Sequence, residues 1–257
     1  MIYRLMLASA AAAAMALAAA HPAAAQAPAD QGWTGFYAGV NLGGVWGDTS
    51  ANAHVVSGSG TTRIPAADIA AIASTPKSSS NHAGFSGGIE GGYDYQWGSN
   101  LLLGLETDFQ SFAVSRDSTS VTPSVVTTSP QAIYTVNQNV HTDWLWTLRP
   151  RVGYVSGPWA IYGTVGVAVS NLRYELDYSD GLGHTGAQQA TNSKAGLVWG
   201  FGGGYRLMRN WSVKAEYLYS DLGKLSSSAS NANGYLNFET NTTVKANLIR
   251  VGLDYRF

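Results

Sequence analysis

Seven acidic and seven basic residues share one parity of the alternating segments in this chain, and these are the residues that could do chemistry. The acids are Glu90, Asp94, Glu106, Asp108, Asp143, Glu216 and Asp254. The bases are Arg149, Arg151, Lys194, Arg206, Lys214, Arg250 and Arg256. Paired carboxylates could supply general acid–base catalysis, and an internal network of salt bridges is the alternative. We favour the network, because the two signs are balanced and buried charges need partners.

Part of this set lies at a similar height along the predicted strands. Counted from the strand end that carries the tight turns or the C-terminus, Glu90, Glu106, Arg149, Glu216 and Arg250 are each about five to seven residues in. Their neighbour Arg151 lies on the same parity. We therefore predict that these six residues form a salt-bridge network.

Histidine is the other residue type here that could hold a cofactor. Beyond residue 27 the chain has His54, His82, His141 and His184, all in polar stretches or at a strand end beside one. A hemin or metal site formed by converging loops is one interpretation, and unrelated loop histidines are the other. Because no two have the local spacing of metal ligands, we predict no metal and no cofactor. The four histidines remain weak hemin candidates.

The sequence gives no support for a catalytic nucleophile or a phosphate-binding loop. No local pairing of Ser with His is apparent. The glycines at 200–204 lie inside an alternating segment with no helix after it, so they do not form a phosphate-binding loop. We predict a protein that is not an enzyme.

Eight segments of alternating polarity must position the charged residues. In the last of them, NLIRVGLDYRF, the odd positions from Ile249 to Phe257 are apolar or aromatic. The even positions from Leu248 to Arg256 are mainly polar, small or charged. A period of two residues indicates a strand with two unlike faces. The eight segments span 33–46, 83–96, 100–112, 141–155, 159–172, 193–207, 211–223 and 247–257.

The connections between these segments alternate in length. Polar stretches at about 47–82, 116–140, 177–192 and 224–243 are predicted to be long loops, and tight turns are predicted at 97–99, 156–158 and 208–210. Long loops at one end and tight turns at the other are typical of outer-membrane barrels. Pro150 lies inside a predicted strand, where we expect a local bulge.

Composition supports a strand-built protein whose outer face meets lipid. Only 12% of residues are charged, against about a quarter in typical soluble domains. Beyond the N-terminus we find no apolar run of about 20 residues, which a membrane-spanning helix needs. The net charge of −1 and the absence of a basic cluster exclude nucleic acid as a partner. Without cysteine, disulfides and thiolate metal sites are excluded.

The N-terminus has the features of a secretory leader. Arg4 precedes an apolar, Ala-rich stretch, and Ala25-Gln26-Ala27 forms an A-x-A cleavage site. We predict a removed signal peptide over residues 1–27, a short lead over 28–32 and a barrel domain over 33–257.

Three segments carry a family resemblance: WTGFYAGVNLGG at 33–44, KAEYLYSDLG at 214–223 and VGLDYRF at 251–257. They resemble the eight-stranded, porin-like, opacity-type outer-membrane proteins of Gram-negative bacteria, whose relatives include surface antigens and hemin-binding proteins. The resemblance implies an all-β, eight-stranded antiparallel up-and-down transmembrane β-barrel. It also implies four long extracellular loops, three short periplasmic turns and both termini in the periplasm. Tyr255 and Phe257 would then be the signal that the outer-membrane assembly machinery reads.

The predicted function follows from this architecture. We expect a non-enzymatic protein of the outer-membrane lipid bilayer that supports envelope integrity and presents its loops at the cell surface, where a host or matrix ligand could bind. A small-solute channel and a receptor for hemin or another ligand are the alternatives.

Overall fold

The fold is a single sheet of antiparallel strands in a computed structural model of the protein. The structure describes residues 32–57, 78–81, 83–124, 133–179, 185–230 and 236–257, together with residues 67, 70 and 71. The strands are β1 Gly35–Ser57, β2 Ser78–Asn81, β3 Gly84–Trp97, β4 Leu101–Pro123, β5 Ile133–Ser156, β6 Trp159–Ser179, β7 Thr185–Arg206, β8 Trp211–Ser230 and β9 Leu236–Arg256. In these parts of the chain no helix has the length and apolar character needed to cross a membrane. The predicted signal peptide lies outside the described residues.

The sheet closes into a barrel. Strands β3 to β9 pair in chain order, and β1 lies between β3 and β9, so that the first and last strands join the two ends of the sheet. The short β2 pairs with the end of β4 and continues the line of β3. The two therefore occupy one position, and eight strands surround the lumen. The predicted eight-stranded antiparallel barrel is confirmed.

One end of the barrel, which we call the turn side, has tight connections. Turns at 98–100 and 157–158 join β3 to β4 and β5 to β6, and residues 207–210 join β7 to β8. Gly98 and Gly157 have φ values of 64° and 56°, a left-handed conformation that glycine adopts without steric cost.

At the opposite end, which we call the hairpin side, the predicted loop boundaries are wrong. Strand pairing continues far into the stretches expected to be loops: β1 pairs with β9 as far as Ser57, and β4 pairs with β5 as far as Pro123. Thr, Val and Tyr in these stretches favour strands, and the ladder satisfies backbone groups that a loop would leave to water. The alternation of inward and outward side chains also continues into these stretches, as the buried, inward-pointing Tyr134 and Val136 show.

The two faces of the barrel differ as the alternation predicts. Exposed aromatic side chains lie on the outer face near the turn side, among them Trp97, Trp159 and Trp211, and near the hairpin side, among them Trp46 and Phe85. Aromatic residues on the outer face also pack across strands, with ring centroids 4.5 Å apart for Trp159–Tyr205 and 5.5 Å apart for Trp199–Tyr219. Such belts are typical of surfaces that meet the lipid interfaces.

The bulge predicted at Pro150 is wrong. Leu148 pairs with Val167 and Arg151 with Thr164 at the same offset, so the register between β5 and β6 does not change there. The hydroxyl of Thr164 donates to the Pro150 carbonyl at 3.0 Å. The ladder to β6 has no pairs at residues 149 and 150, so the proline interrupts the ladder without changing its register.

The register shift instead lies between His141 and Leu145. The backbone N–H groups of Asp143 and Trp144 both donate to Asn171 Oδ1, at 3.0 and 3.3 Å. Between these two pairs β5 has one residue more than β6. The extra residue reverses the parity of β5, so even positions point inward before it and odd positions point inward after it. Arg149 and Arg151 therefore face the lumen.

Candidate functional site in the barrel lumen

The middle of the lumen is filled by charged side chains. Within the described residues, six acids and five bases are buried there: Glu90, Asp94, Glu106, Asp108, Glu216 and Asp254, with Arg149, Arg151, Lys214, Arg250 and Arg256. We call these eleven residues the lumen layer. Three other residues predicted to face inward do not belong to it. Asp143 lies near Arg173, at 3.8 Å, and Arg206 and Lys194 are only partly buried.

Glu106 is the centre of the lumen layer. Its carboxylate contacts four cationic groups and one hydroxyl from four other strands. The partners are Arg149 Nη2 at 2.5 Å, Lys214 Nζ at 2.5 Å, Arg151 Nη1 at 3.0 Å, Arg250 Nη2 at 3.1 Å and the donating Tyr37 hydroxyl at 2.7 Å. Charge-assisted bonds of this kind are the strong ones. Glu106 therefore ties opposite walls of the barrel together.

Arg250 links Glu216 to the acids of β4. Its Nε and Nη2 lie 2.7 and 2.6 Å from Glu216 Oε2, and its Nη1 lies 3.3 Å from Asp108 Oδ1. Asp108 also accepts from Arg149 Nη2 at 2.8 Å. The Tyr162 hydroxyl donates to Glu216 Oε1 at 2.7 Å. The carboxylates in this part of the lumen thus have direct donors.

Asp94 anchors the turn-side half of the lumen layer. Arg151 binds it with two nitrogens, Nε at 2.8 Å and Nη2 at 2.5 Å, and Arg256 Nη2 lies at 2.8 Å. A bidentate arginine–carboxylate pair has a fixed geometry. Arg256 also donates to the carbonyl of Trp33 and, at 3.2 Å, to that of Gly35. This contact joins the last strand to the start of the first.

Strand register explains why these side chains meet. Glu106 lies directly opposite Arg149 across β4 and β5, and Glu216 lies opposite Arg250 across β8 and β9. Small residues provide the room. At Gly252, a Cβ atom would lie 2.5 Å from Glu90 Oε1 and 3.0 Å from Lys214 Cε, which is closer than packed atoms approach.

Above the lumen layer, toward the hairpin side, the lumen is lined mainly by apolar side chains, with the buried hydroxyl groups of Ser170 and Ser220 among them. Its apolar side chains are at most 2% exposed: Val45, Phe112, Leu145, Ala168, Leu172, Val198, Leu218, Leu222, Val244, Ala246 and Leu248. We call these residues the apolar layer. The sequence interpretation missed it, because it treated the inward parity as polar, small or charged. The inward Leu residues of β5, β8 and β9 were the signal that could have found it.

The turn-side mouth is covered by Trp33. This side chain is buried with Leu102, Val155, Ala160 and Tyr162. Its backbone N–H donates to Gln96 at 2.9 Å, and its indole N–H donates to the Gly157 carbonyl at 3.4 Å. The guanidinium carbons of Arg206 and Arg256 lie 5.2 and 5.6 Å from its ring centroid. The lumen is thus occupied at three levels.

Three carboxylates of the lumen layer have a spacing that could hold a metal ion. Oxygens of Glu90, Glu106 and Glu216 lie within 4.8 Å of one another. However, Lys214 Nζ lies 2.5 Å from Glu106 and 3.0 Å from Glu90, and Arg250 lies 2.6 Å from Glu216. Nitrogen cations thus fill the positions that a metal ion would need, and the chemistry of this set is that of a salt-bridge network.

The structure does not bring the candidate histidines together in the parts that it describes. His141 lies in β5 opposite Arg173, and His54 lies in β1 opposite Glu239. His82 and His184 lie outside the described residues. A hemin site therefore stays a prediction.

The two predicted assembly residues are on the outer face at the turn side. The rings of Tyr255 and Phe257 meet edge to face, with centroids 5.3 Å apart, and both side chains are exposed. The Phe257 N–H donates to the Phe36 carbonyl at 3.0 Å. Their role in assembly stays a prediction.

Comparisons with known proteins agree with this architecture. The family model of the outer membrane protein beta-barrel domain matches residues 9–257. The 31 kDa outer-membrane immunogenic proteins of Brucella melitensis and Brucella suis are each 31% identical, over 98% of this chain and 95% of their own length. The solved structure of the outer membrane protease OmpT from Escherichia coli is 10% identical, covers 87% of this chain and 97% of its own, and has a TM-score of 0.50, which is a likeness of fold alone. The chain therefore belongs to the outer membrane protein beta-barrel family and is a protein of the outer membrane.

Proposed function

We propose that this protein is a closed, non-conducting barrel that supports the outer membrane and presents its hairpins at the cell surface without enzymatic activity. The observation that carries the proposal is the filled lumen. The lumen layer and the apolar layer are stacked along the axis, and every side chain in them is at most 8% exposed. An eight-stranded barrel is just wide enough for side chains to fill.

A filled lumen resists ions for two separate reasons. An ion would have to displace charge pairs that are already short, such as Arg149–Glu106 at 2.5 Å. It would then have to enter the apolar layer, where a charge without a partner is very costly. Two unlike barriers in series make the channel alternative the weaker one.

Surface presentation is supported by the length of the strands. Beyond Trp46 at the hairpin-side aromatic belt, β1 continues for eleven residues to Ser57 and stays paired with β9. At about 3.3 Å per residue this is roughly 35 Å of strand. We propose that this end lies outside the cell, and that the tight turns and both mature termini lie in the periplasm. The relatives named immunogenic agree with surface exposure.

A liposome-swelling assay tests the closed lumen. The refolded barrel is reconstituted in vesicles beside a water-filled porin at equal protein content, and vesicles are diluted into small sugars and amino acids. We expect vesicles with this protein to swell no faster than protein-free vesicles. Swelling that approaches the porin control would favour the small-solute channel instead.

A further inference from the structure

The charges of the lumen layer do not balance. Its six carboxyl groups face five basic groups within the described part of the chain, and none is more than 8% exposed. A net charge buried in this way is costly unless something neutralises it. Arg206 is the next inward-facing base on the turn side, but it is only partly buried and its guanidinium lies over Trp33 at the mouth. The layer itself therefore lacks one positive charge.

Glu90 lies among several other carboxyl groups. Its direct cross-strand neighbour on β4 is Asp108, and oxygens of Glu106 and Glu216 lie within 4.8 Å of its own. Asp254 on β9 shares Lys214 with it, at 3.7 and 3.0 Å. Like charges directly opposite one another are destabilising, and crowded carboxylates favour the protonation of one of them.

The cations near Glu90 are held more closely by other acids. Lys214 Nζ is 3.0 Å from Glu90 but 2.5 Å from Glu106. Arg250 Nη2 is 3.6 Å from Glu90 but 2.6 Å from Glu216. The hydrogen bond that Glu90 accepts comes from a neutral group, the side-chain amide of Asn41 on β1, at 3.0 Å.

Asn41 gives a second, independent observation. It is 1% exposed, and its Oδ1 has no hydrogen-bond partner among the residues that the structure describes. A buried acceptor without a donor costs about 1–3 kcal/mol. A carboxylic acid offers an O–H donor that a carboxylate lacks, and the carboxyl group beside this amide is that of Glu90.

We propose that Glu90 binds a proton in the folded barrel and is a neutral carboxylic acid at neutral pH. The proton comes from solvent and forms one O–H bond on the Glu90 carboxyl group, which leaves five acids facing five bases. The inference rests on the proposed closed lumen, since water in the lumen would solvate the extra charge.

Infrared spectroscopy of the folded barrel at neutral pH tests the proposal. We expect the C=O band of a protonated carboxyl group in the wild type and its loss in Glu90→Gln. The control Asp143→Asn, outside the lumen layer, keeps the band. A wild type without the band, or a Glu90→Gln variant that retains it, would overturn the proposal.

Thermal unfolding gives a second readout. Glu90→Gln replaces one neutral group by another of the same shape, so we expect its midpoint to stay near that of the wild type. Glu216→Gln removes an ionised partner of Arg250 and should lower the midpoint by roughly 10 °C. An equal drop in both variants, or a Glu90→Gln variant that does not fold, would show that Glu90 is an ionised partner. Swelling of wild-type vesicles would instead contradict the closed lumen, so the two failures are distinguishable.

Discussion

Arg250→Ala is the perturbation that probes the lumen layer most sharply. Arg250 is 1% exposed, faces the lumen, and lies 2.6 Å from Glu216 and 3.1 Å from Glu106. Its loss leaves Glu216 with the Tyr162 hydroxyl and a distant Arg149 at 3.8 Å. Removing one partner of a buried pair typically costs about 3–5 kcal/mol. We expect about 3 kcal/mol, because Glu106 keeps its other cations.

The assay is urea unfolding of the refolded barrel in lipid vesicles, followed by tryptophan fluorescence and by heat-modifiable gel mobility. Arg209→Ala is the matched control, because it makes the same substitution at an exposed position of the 207–210 connection and should change the free energy of unfolding by at most about 0.5 kcal/mol. If Arg250→Ala folds and costs no more than Arg209→Ala, the lumen layer is wet and the reasoning fails.

The remaining predictions concern packing, assembly, topology and ligand binding. Leu248→Ala in the apolar layer should lower the free energy of unfolding by about 2–5 kcal/mol, and a loss below 1 kcal/mol in the same assay would mean that this part of the lumen is not packed. Phe257→Ser should reduce folded barrel in the outer membrane, measured by heat-modifiable mobility, and unchanged abundance would argue against an assembly signal. An epitope tag inserted at Gly183 should be labelled on intact cells, whereas one at Ser156 should not; labelling at Ser156 would reverse the proposed orientation. Hemin should give no saturable absorbance change with the refolded barrel, and a change that is lost in His141→Ala would establish the receptor alternative.

The barrel could be predicted from the sequence because period-two alternation is a local property. The alternation within each strand shows which side chains share a face. The tight turns then set the positions of residues such as Glu106 and Arg149 along the barrel axis on neighbouring strands. These two are indeed direct cross-strand neighbours. Contacts across the lumen could not be predicted in this way. Arg250 of β9 reaches Glu106 of β4 only because the closed sheet brings distant strands face to face.

Several members of the lumen layer were not included in the predicted network. Lys214 lies 2.5 Å from Glu106, and Asp94 is bound by both Arg151 and Arg256. All are on the inward parity, so their orientation could be predicted. Which of them meet depends on side-chain reach and on nearby glycines, and alternation does not encode either.

The hairpin side was predicted least well. Composition rich in Ser, Thr and Gly was interpreted as loop, although paired strands continue through much of it. The bulge near Asn171 was also invisible in the sequence, because it depends on one side-chain amide that accepts two backbone N–H groups from another strand. Such a contact carries no local periodic signal.

Single-channel recording in planar bilayers tests the central claim, a lumen filled by its own side chains, most directly. The purified, refolded wild type is added to one chamber, and current is followed over a range of voltages beside a water-filled porin as positive control. We predict a baseline without stable openings, since the lumen layer and the apolar layer occlude the axis. Stable openings on the nanosiemens scale from the unmodified protein would contradict this account and would place the charges along a water-filled pore.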